Sequence, residues 1–183
     1  LALIVKLLQR NIKIFVFIHG VEAWTPSFRV RLFKSFVTSF LSVSRFTKQR
    51  FQAIYNCSVE LVPNVYSFKS TLDTVTNDLY PNSELKILFV ARLDQSEAYK
   101  GFEESLYALS RIPVEHYSFR AVLHGNGVAE AKNLASRLKV NCTFHSSITD
   151  SELMRLYCDS NIFLMPSRGE GFGLVFLEAI ANG

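Results

Sequence analysis

Residues 162–183 read IFLMPSRGEGFGLVFLEAIANG. The segment begins with a short apolar run, continues through a glycine-rich loop and ends in an apolar stretch of helical length. This order predicts a buried strand at 162–165, then a loop, then a helix at 173–181. Backbone N–H groups at 171–174 would then lie at the start of the helix, where they can bind an anion.

The alternation of strand and helix extends through the rest of the chain. Short apolar runs predict six further strands, at 12–18, 41–43, 59–62, 85–91, 119–123 and 142–144. Apolar residues at helical spacing predict a helix over 27–40. Further helices are predicted from Ser44 to about residue 55 and over 102–112, 129–138 and 150–158. Ser44 and Thr149 are predicted N-caps, and Glu152 completes a capping box with Thr149. Strands that alternate with helices indicate parallel β-α-β units, so we expect the α/β class. A polar stretch predicts a linker at 67–84, between a first unit at 1–66 and a second at 85–183.

The chain carries a formal net charge of +4, and its excess of basic over acidic residues lies in the first half. Residues 28–40 combine Arg29, Arg31 and Lys34 with a row of apolar side chains. This pattern fits a helix that touches an anionic membrane surface, and it equally fits a packed helix with one wet side. We find no motif of the common nucleic-acid-binding modules, so nucleic acid is not an expected partner.

The three cysteines, Cys57, Cys142 and Cys158, share no metal-ligand spacing. Such a set predicts buried thiols in a reducing compartment and argues against a zinc site. We therefore expect a cytoplasmic protein, with the inner face of the membrane as a further option, and no metal. Leu1 opens the chain, and the last residues end where a helix would lead into another strand, so we expect a fragment.

Cations follow one of the predicted strands, at the edge of a parallel sheet where ligands usually bind. Arg92 comes directly after the strand at 85–91, and Lys100 lies eight residues further on. Together these side chains could neutralise a diphosphate, Arg as a fork and Lys as a point charge. Gly125 and Gly127 follow the next strand, where they would admit a ligand close to the backbone or form a plain turn.

Two carboxylates flank the start of the last helix. Glu170 precedes it, and Glu178 lies inside it among apolar neighbours, which are costly company for an unpaired charge. By itself the pair fits acid–base catalysis as well as a solvated helix.

The order of these motifs resembles the retaining glycosyltransferases of family 4, which have the GT-B fold. The matching motifs of the second half are Arg92…Lys100-Gly101, Gly125-x-Gly127 and Glu170-Gly-Phe-Gly-Leu-x-x-x-Glu178. Looser matches in the first half are His19-Gly20, Ser42-Val43-Ser44 and Val62-Pro63-Asn64. The resemblance implies two Rossmann-like parallel-sheet units that face each other across a cleft, both truncated. Residues 1–66 would be the end of the acceptor-side domain, and 85–183 the donor-binding domain without its C-terminal end.

The resemblance also implies a reaction. A hexose would pass from a UDP- or GDP-linked donor to a carbohydrate or lipid-linked acceptor with retention of anomeric configuration, without a metal or another cofactor. The implied site consists of Arg92, Lys100, Gly171, Phe172, Gly173 and Leu174 for the diphosphate, Glu178 and Ile148 for the nucleoside, Gly125 and Gly127 in a nearby loop, and Glu170 and His19 as catalytic residues.

Two other functions remain open at this stage. A glycoside hydrolase also needs two carboxylates, which Glu170 and Glu178 could supply. A catalytically inactive fragment that still binds nucleotide sugar would show affinity without turnover.

Overall fold

A computed structural model describes residues 11–20, 23–65 and 84–183. The chain divides into two compact units. One comprises the described residues up to 65 together with Glu170–Gly173, and the other comprises residues 84–169 together with Leu174–Gly183. The predicted linker, apart from Glu84, lies outside the described residues.

The first unit contains a parallel sheet with a helix packed against it. Its elements are β1 (Phe15–Ile18), α1 (Phe28–Phe33), β2 (Ser39–Ser42), α2 (Arg45–Tyr55) and β3 (Val59–Leu61). The strands lie in the order β1-β2-β3. Apolar side chains of the sheet and of α2 form the core, among them Ile18, Phe40 and Phe51. The predicted cap of α2 is confirmed, because the Ser44 hydroxyl oxygen accepts the N–H of Thr47 at 3.1 Å.

The helix predicted over 27–40 is wrong beyond its first turns. α1 ends at Phe33, a 3-10 turn covers Lys34–Phe36, and the backbone is extended at Val37. Phe40 lies in β2, where it pairs with both neighbouring strands and is 6% exposed. Hydrogen bonds to strands on both sides and burial of Phe40 outweigh the helical spacing of the apolar residues. The strand predicted at 41–43 accordingly begins at Ser39.

The second unit is a parallel sheet with strand order β6-β5-β4-β7. Its elements are β4 (Leu85–Arg92), a 3-10 turn (Gln95–Lys100), α3 (Phe102–Leu109), a second 3-10 turn (Val114–His116), β5 (Tyr117–His124), α4 (Val128–Arg137), β6 (Cys142–His145), α5 (Asp150–Cys158), β7 (Ile162–Phe163) and α6 (Leu174–Ala181). The bounds of these strands and of α3 to α6 agree with the sequence patterns to within three residues.

Helices cover both faces of this sheet, as the strand order requires. On one face Phe89 and Phe119 pack in a core that includes side chains of α3 and α4. On the other face Leu88 and Val122 pack with Tyr157 of α5. Because all four strands are parallel, their carboxyl ends share one edge, and the loops that carry the predicted donor residues of this unit follow those ends.

The corrected position of Phe40 gives a stability test with a matched control. Replacing Phe40 by Ala removes a buried ring from β2, and we expect it to lower the free energy of unfolding of the first unit by about 3–5 kcal/mol. Phe28, which is 78% exposed on α1, should change it by less than about 0.5 kcal/mol when replaced by Ala. Urea unfolding of both variants measures these changes. Equal decreases in the free energy of unfolding would contradict the assignment of Phe40 to the core.

Candidate functional site

Arg92 and Lys100, the two predicted diphosphate ligands, meet at one carboxylate. Arg92 is the last residue of β4, and Lys100 ends the 3-10 turn that follows. The Glu97 carboxylate accepts hydrogen bonds from Arg92 Nε at 2.7 Å, Arg92 Nη2 at 3.2 Å and Lys100 Nζ at 3.0 Å. The structure therefore brings the two cations together through a residue that the sequence patterns did not single out.

The ionisation of this cluster follows from its contacts. Burial raises the pKa of the Glu97 carboxyl, but the hydrogen bonds from Arg92 and Lys100 outweigh burial and hold the pKa below its ordinary value. The same hydrogen bond to Glu97 raises the pKa of Arg92. Glu97 is therefore ionised and Arg92 protonated at neutral pH.

Asp94 joins the loop after β4 to the loop after β5. Its Oδ1 accepts the backbone N–H of Asn126 at 3.1 Å, and its Oδ2 lies 3.4 Å from Arg92 Nε. Gly125 has a φ of 106°, and a Cβ there would lie 2.7 Å from Asp94 Oδ1. Gly127 N donates to the carbonyl oxygen of Leu93 at 2.8 Å. Both glycines of the Gly-x-Gly motif thus let the β5 loop pack closely on the β4 loop.

A cavity of about 270 Å³ lies between these loops and the starts of α3 and α4. Among the described residues, its lining includes three carboxylates, those of Asp94, Glu103 and Glu130, and no lysine or arginine. Negative charge of this density repels a diphosphate. An anionic ligand therefore fits the exposed side of Arg92 better than this cavity.

Glu178 has a hydrogen-bond partner, which offsets the free-energy cost of placing its carboxyl group among apolar residues. Tyr157 of α5, buried in the core, donates its hydroxyl to Glu178 Oε2 at 2.9 Å. The side-chain amide of Asn182, also buried, donates to the backbone carbonyl oxygen of Glu178 at 2.7 Å. These bonds hold the carboxylate and its helix turn in one position.

Ile148 lies near the same core. Its side chain packs against the cluster that contains Tyr157, and it also lines a pocket of about 400 Å³ together with Arg120 and His145. The capping box predicted for the next helix is confirmed, because Thr149 and Glu152 each accept the other's backbone N–H. The two predicted nucleoside residues, Ile148 and Glu178, are thus linked to the same core through Tyr157.

The remaining predicted residues fall into the first unit, except Leu174, which begins α6. His19 follows β1, and the segment Glu170–Gly173 belongs to this unit rather than to the second one. A Cβ at Gly171 would clash with the backbone of His19 and Gly20, so the chain approaches closely there. Gly173 has a φ of 77°, which is why α6 starts one residue later than predicted.

The described residues contain neither a candidate metal centre nor a helix able to cross a membrane. Among them no group of three or more His, Cys, Asp or Glu side chains is arranged to hold a metal ion. None of the helices in the described part of the chain has the length and hydrophobicity needed to cross a bilayer.

Sequence patterns missed Glu97, Asp94 and Tyr157. A signal for Glu97 was present, because a carboxylate three residues before a lysine meets it in a tight turn. Tyr157 had no such signal, since it contacts Glu178 across 21 residues of sequence.

Comparisons with known proteins agree with this architecture. A family profile described as "Glycosyl transferases group 1" matches residues 77–183. The chain is 32% identical over 100 residues to an uncharacterized 41.2 kDa protein in the cps region of Klebsiella pneumoniae, a match that covers 55% of this chain and 26% of the relative. It is 27% identical over 134 residues to a phosphatidyl-myo-inositol mannosyltransferase of Mycobacterium tuberculosis, covering 72% of this chain and 35% of the relative.

A solved structure extends the likeness to the whole chain. Sucrose-phosphate synthase from Thermosynechococcus elongatus superposes with a TM-score of 0.73 at 20% identity, covering 99% of this chain and 51% of that one. At this identity the match bears on the fold, and it confirms the expected α/β class of the GT-B type. The chain spans about a quarter to a third of the length of the two curated relatives.

The depressed pKa of Glu97 makes the stability of the cluster depend on pH. Its stabilising effect is fully present above the pKa of an unfolded glutamate, about 4.3, and is lost as the pH falls through the lower folded pKa. We expect Glu97→Gln to lower the free energy of unfolding by about 2 kcal/mol at pH 7. The difference from the wild type should shrink between about pH 5 and pH 3.

Chemical denaturation across this pH range measures the effect. Glu115→Gln, at an exposed glutamate in the other 3-10 turn of this unit, is the matched control and should follow the wild type. A wild-type advantage over Glu97→Gln that stays constant down to pH 3 would contradict the ion-pair assignment.

Proposed function

The chain belongs to the glycosyl transferases group 1 family, and we propose that it binds a nucleoside-diphosphate sugar for transfer of a hexose to a carbohydrate or lipid-linked acceptor. The observation that carries this proposal is the pair of cations at the end of β4. Arg92 is 66% exposed while two of its N–H groups are held by Glu97. Its other N–H groups can therefore meet a diphosphate at the edge of the sheet where ligands of such folds bind.

The nucleoside would lie near Glu178 and Ile148. A carboxylate held by Tyr157 through one oxygen keeps its other oxygen available to accept a hydrogen bond from a ribose hydroxyl. The backbone of the loop near Ile148 offers polar groups to a base. The donor is UDP- or GDP-linked in this proposal.

The transfer itself would retain the anomeric configuration. The bond between the anomeric carbon and the diphosphate oxygen breaks, and the acceptor oxygen bonds to that carbon from the same face. The acceptor proton passes to the leaving diphosphate, whose charge the N–H groups of Arg92 and Lys100 would stabilise without a metal. The roles of residues 171–174, Glu170 and His19 stay predictions from the family resemblance.

The acceptor class follows from the relatives in part. One of them is a phosphatidyl-myo-inositol mannosyltransferase, whose name specifies a lipid acceptor and mannosyl transfer. We extend to this chain only the broader class of carbohydrate or lipid-linked acceptors. The proposed cytoplasmic location is supported by Cys57, Cys142 and Cys158, which are free thiols.

The alternative functions are a glycoside hydrolase and an inactive fragment that binds nucleotide sugar. The family match and the relatives do not support a glycoside hydrolase. The Tyr157 bond also gives Glu178 a role that does not require chemistry at the sugar. An inactive fragment that binds nucleotide sugar stays open, and measuring turnover and donor binding on the same sample distinguishes it from an active enzyme.

Donor binding tests the proposal directly. We expect this chain to bind UDP or GDP, and the Arg92→Ala plus Lys100→Ala double variant to bind at least about a hundredfold more weakly, because charge-assisted hydrogen bonds from two cations are lost. Isothermal titration calorimetry measures both. Lys132→Ala plus Arg137→Ala, which removes two exposed cations from α4, controls for net charge. Equal binding by the double variant and the wild type would overturn the site.

A basic apolar surface on α1 supports peripheral contact with a membrane. Phe28 and Leu32 are exposed on this helix, and Arg29 and Arg31 are exposed beside them. Exposed aromatic and aliphatic groups next to arginines suit the boundary of an anionic bilayer. Because the chain enters β2 after the 3-10 turn, the contact is narrower than the predicted 28–40 and comprises residues 28–33.

Vesicle co-sedimentation tests this contact. We expect binding to vesicles with anionic lipid, and Phe28→Ser plus Leu32→Ser should reduce the bound fraction several-fold, because the apolar part of the contact is lost. Vesicles of zwitterionic lipid are the control. Failure of the wild type to pellet with anionic vesicles would remove the membrane contact from the proposal.

A further inference from the structure

We propose that Glu97 is the positioning residue of the donor site, where it sets the orientation of Arg92 and Lys100 toward the diphosphate. This inference rests on the proposed function and adds a residue to it. Glu97 would not touch the substrate; it would act through the two cations that do.

The geometry of the ion pairs fixes the direction of Arg92. Both oxygens of the Glu97 carboxylate are engaged, Oε2 by Arg92 Nε at 2.7 Å and Oε1 by Arg92 Nη2 at 3.2 Å and Lys100 Nζ at 3.0 Å. A guanidinium held through two of its nitrogens by a carboxylate has one plane and one direction. Its remaining N–H groups therefore point to one place instead of sampling many rotamers.

The backbone fixes Glu97 itself. Its N–H donates to the carbonyl oxygen of Asp94 at 2.8 Å at the start of the 3-10 turn. Side chains three residues apart eclipse each other in such a turn, so Glu97 and Lys100 are adjacent by construction. Gly101 ends the turn at a φ of 81°, and a Cβ there would lie 2.5 Å from the carbonyl oxygen of Pro166. The turn is therefore seated against the loop that follows β7.

Low exposure makes Lys100 depend on Glu97. The side chain of Glu97 is 9% exposed and that of Lys100 is 16% exposed. A charge with so little exposure is costly unless an opposite charge lies beside it. The Glu97 carboxylate lies 3.0 Å from Lys100 Nζ, and the N–H groups that Glu97 does not take can meet a phosphate.

The charges of the cluster are balanced. Arg92 and Lys100 are matched by Glu97 and by Asp94, whose Oδ2 lies 3.4 Å from Arg92 Nε. The formal charge of the four side chains sums to zero. The net charge of the cluster therefore attracts a diphosphate only weakly. Binding depends instead on N–H groups that folding has already oriented, so that little side-chain entropy is lost when the diphosphate binds.

The charge balance of the cluster has a measurable consequence for nucleotide binding. A cluster that binds through oriented donors shows weak dependence of affinity on ionic strength, whereas an unbalanced cationic cluster shows a strong one. Removing the charge of Glu97 leaves a cluster with a net positive charge, in which the side chains of Arg92 and Lys100 can sample several rotamers. The affinity then falls at physiological salt although the net charge has become more favourable to an anion.

The experiment compares Glu97→Gln, Glu97→Asp and the control Glu115→Gln, with UDP and GDP as probes, by calorimetry from about 0.02 to 0.5 M salt. We expect Glu97→Gln to bind at least about tenfold more weakly at 0.15 M salt, with a steeper dependence on salt. Glu97→Asp keeps the charge but is one methylene shorter. It should restore the shallow salt dependence and only part of the affinity, and Glu115→Gln should match the wild type.

The outcomes separate the two proposals. If the wild type binds neither nucleotide, the proposed function fails first. If the wild type binds and Glu97→Gln binds equally or more tightly, with an unchanged salt dependence, Glu97 does not position the cations and this inference is overturned. Thermal unfolding monitors the fold of each variant; should Glu97→Gln not fold, a folded Glu97→Asp with undiminished affinity would also overturn the inference.

Discussion

The carboxylate of Glu97 is the interaction on which the candidate site depends, because it converts two neighbouring cations into one oriented group. Without this carboxylate, the largely covered ammonium of Lys100 and the exposed guanidinium of Arg92 would share no hydrogen-bond partner. The cost of burying charge is met by three hydrogen bonds to the same two oxygens. The parallel sheet puts this group at its carboxyl edge, where β4 ends.

The other parts of the second unit support that arrangement. The turn that carries Glu97 is held on one side by Asp94 and on the other by the close approach of Gly101 to Pro166. In another part of the same unit, buried Tyr157 and Asn182 hold Glu178, Tyr157 through a side-chain oxygen of Glu178 and Asn182 through its backbone carbonyl oxygen. In each case a buried side chain or a tight turn restricts the residue proposed to meet the ligand, which is how binding sites limit the entropy lost on association.

Much of the fold could be predicted from the sequence, because the strands and helices of the second unit have clear hydrophobic periodicity and are bounded by turn-forming residues. The cap at Thr149 with Glu152 and the cap at Ser44 are local patterns, and both are present. Residues 27–40 were misassigned because apolar spacing near β2 fits a helix as well as a strand, and only pairing with β1 and β3 decides it.

The candidate site was predictable in part. Arg92 and Lys100 follow a strand, so their placement in the sheet followed from the sequence. Their pairing through Glu97 did not, because it depends on a 3-10 turn that the patterns do not specify. The bond between Tyr157 and Glu178 joins two helices and required the tertiary packing.

The most direct test of the central claim is a crystal structure of this chain with UDP or GDP bound. We predict diphosphate oxygens within hydrogen-bond distance of Arg92 and Lys100, while both cations keep their bonds to Glu97. A diphosphate bound away from these two residues, or bound to them with Glu97 displaced from both, would contradict the account.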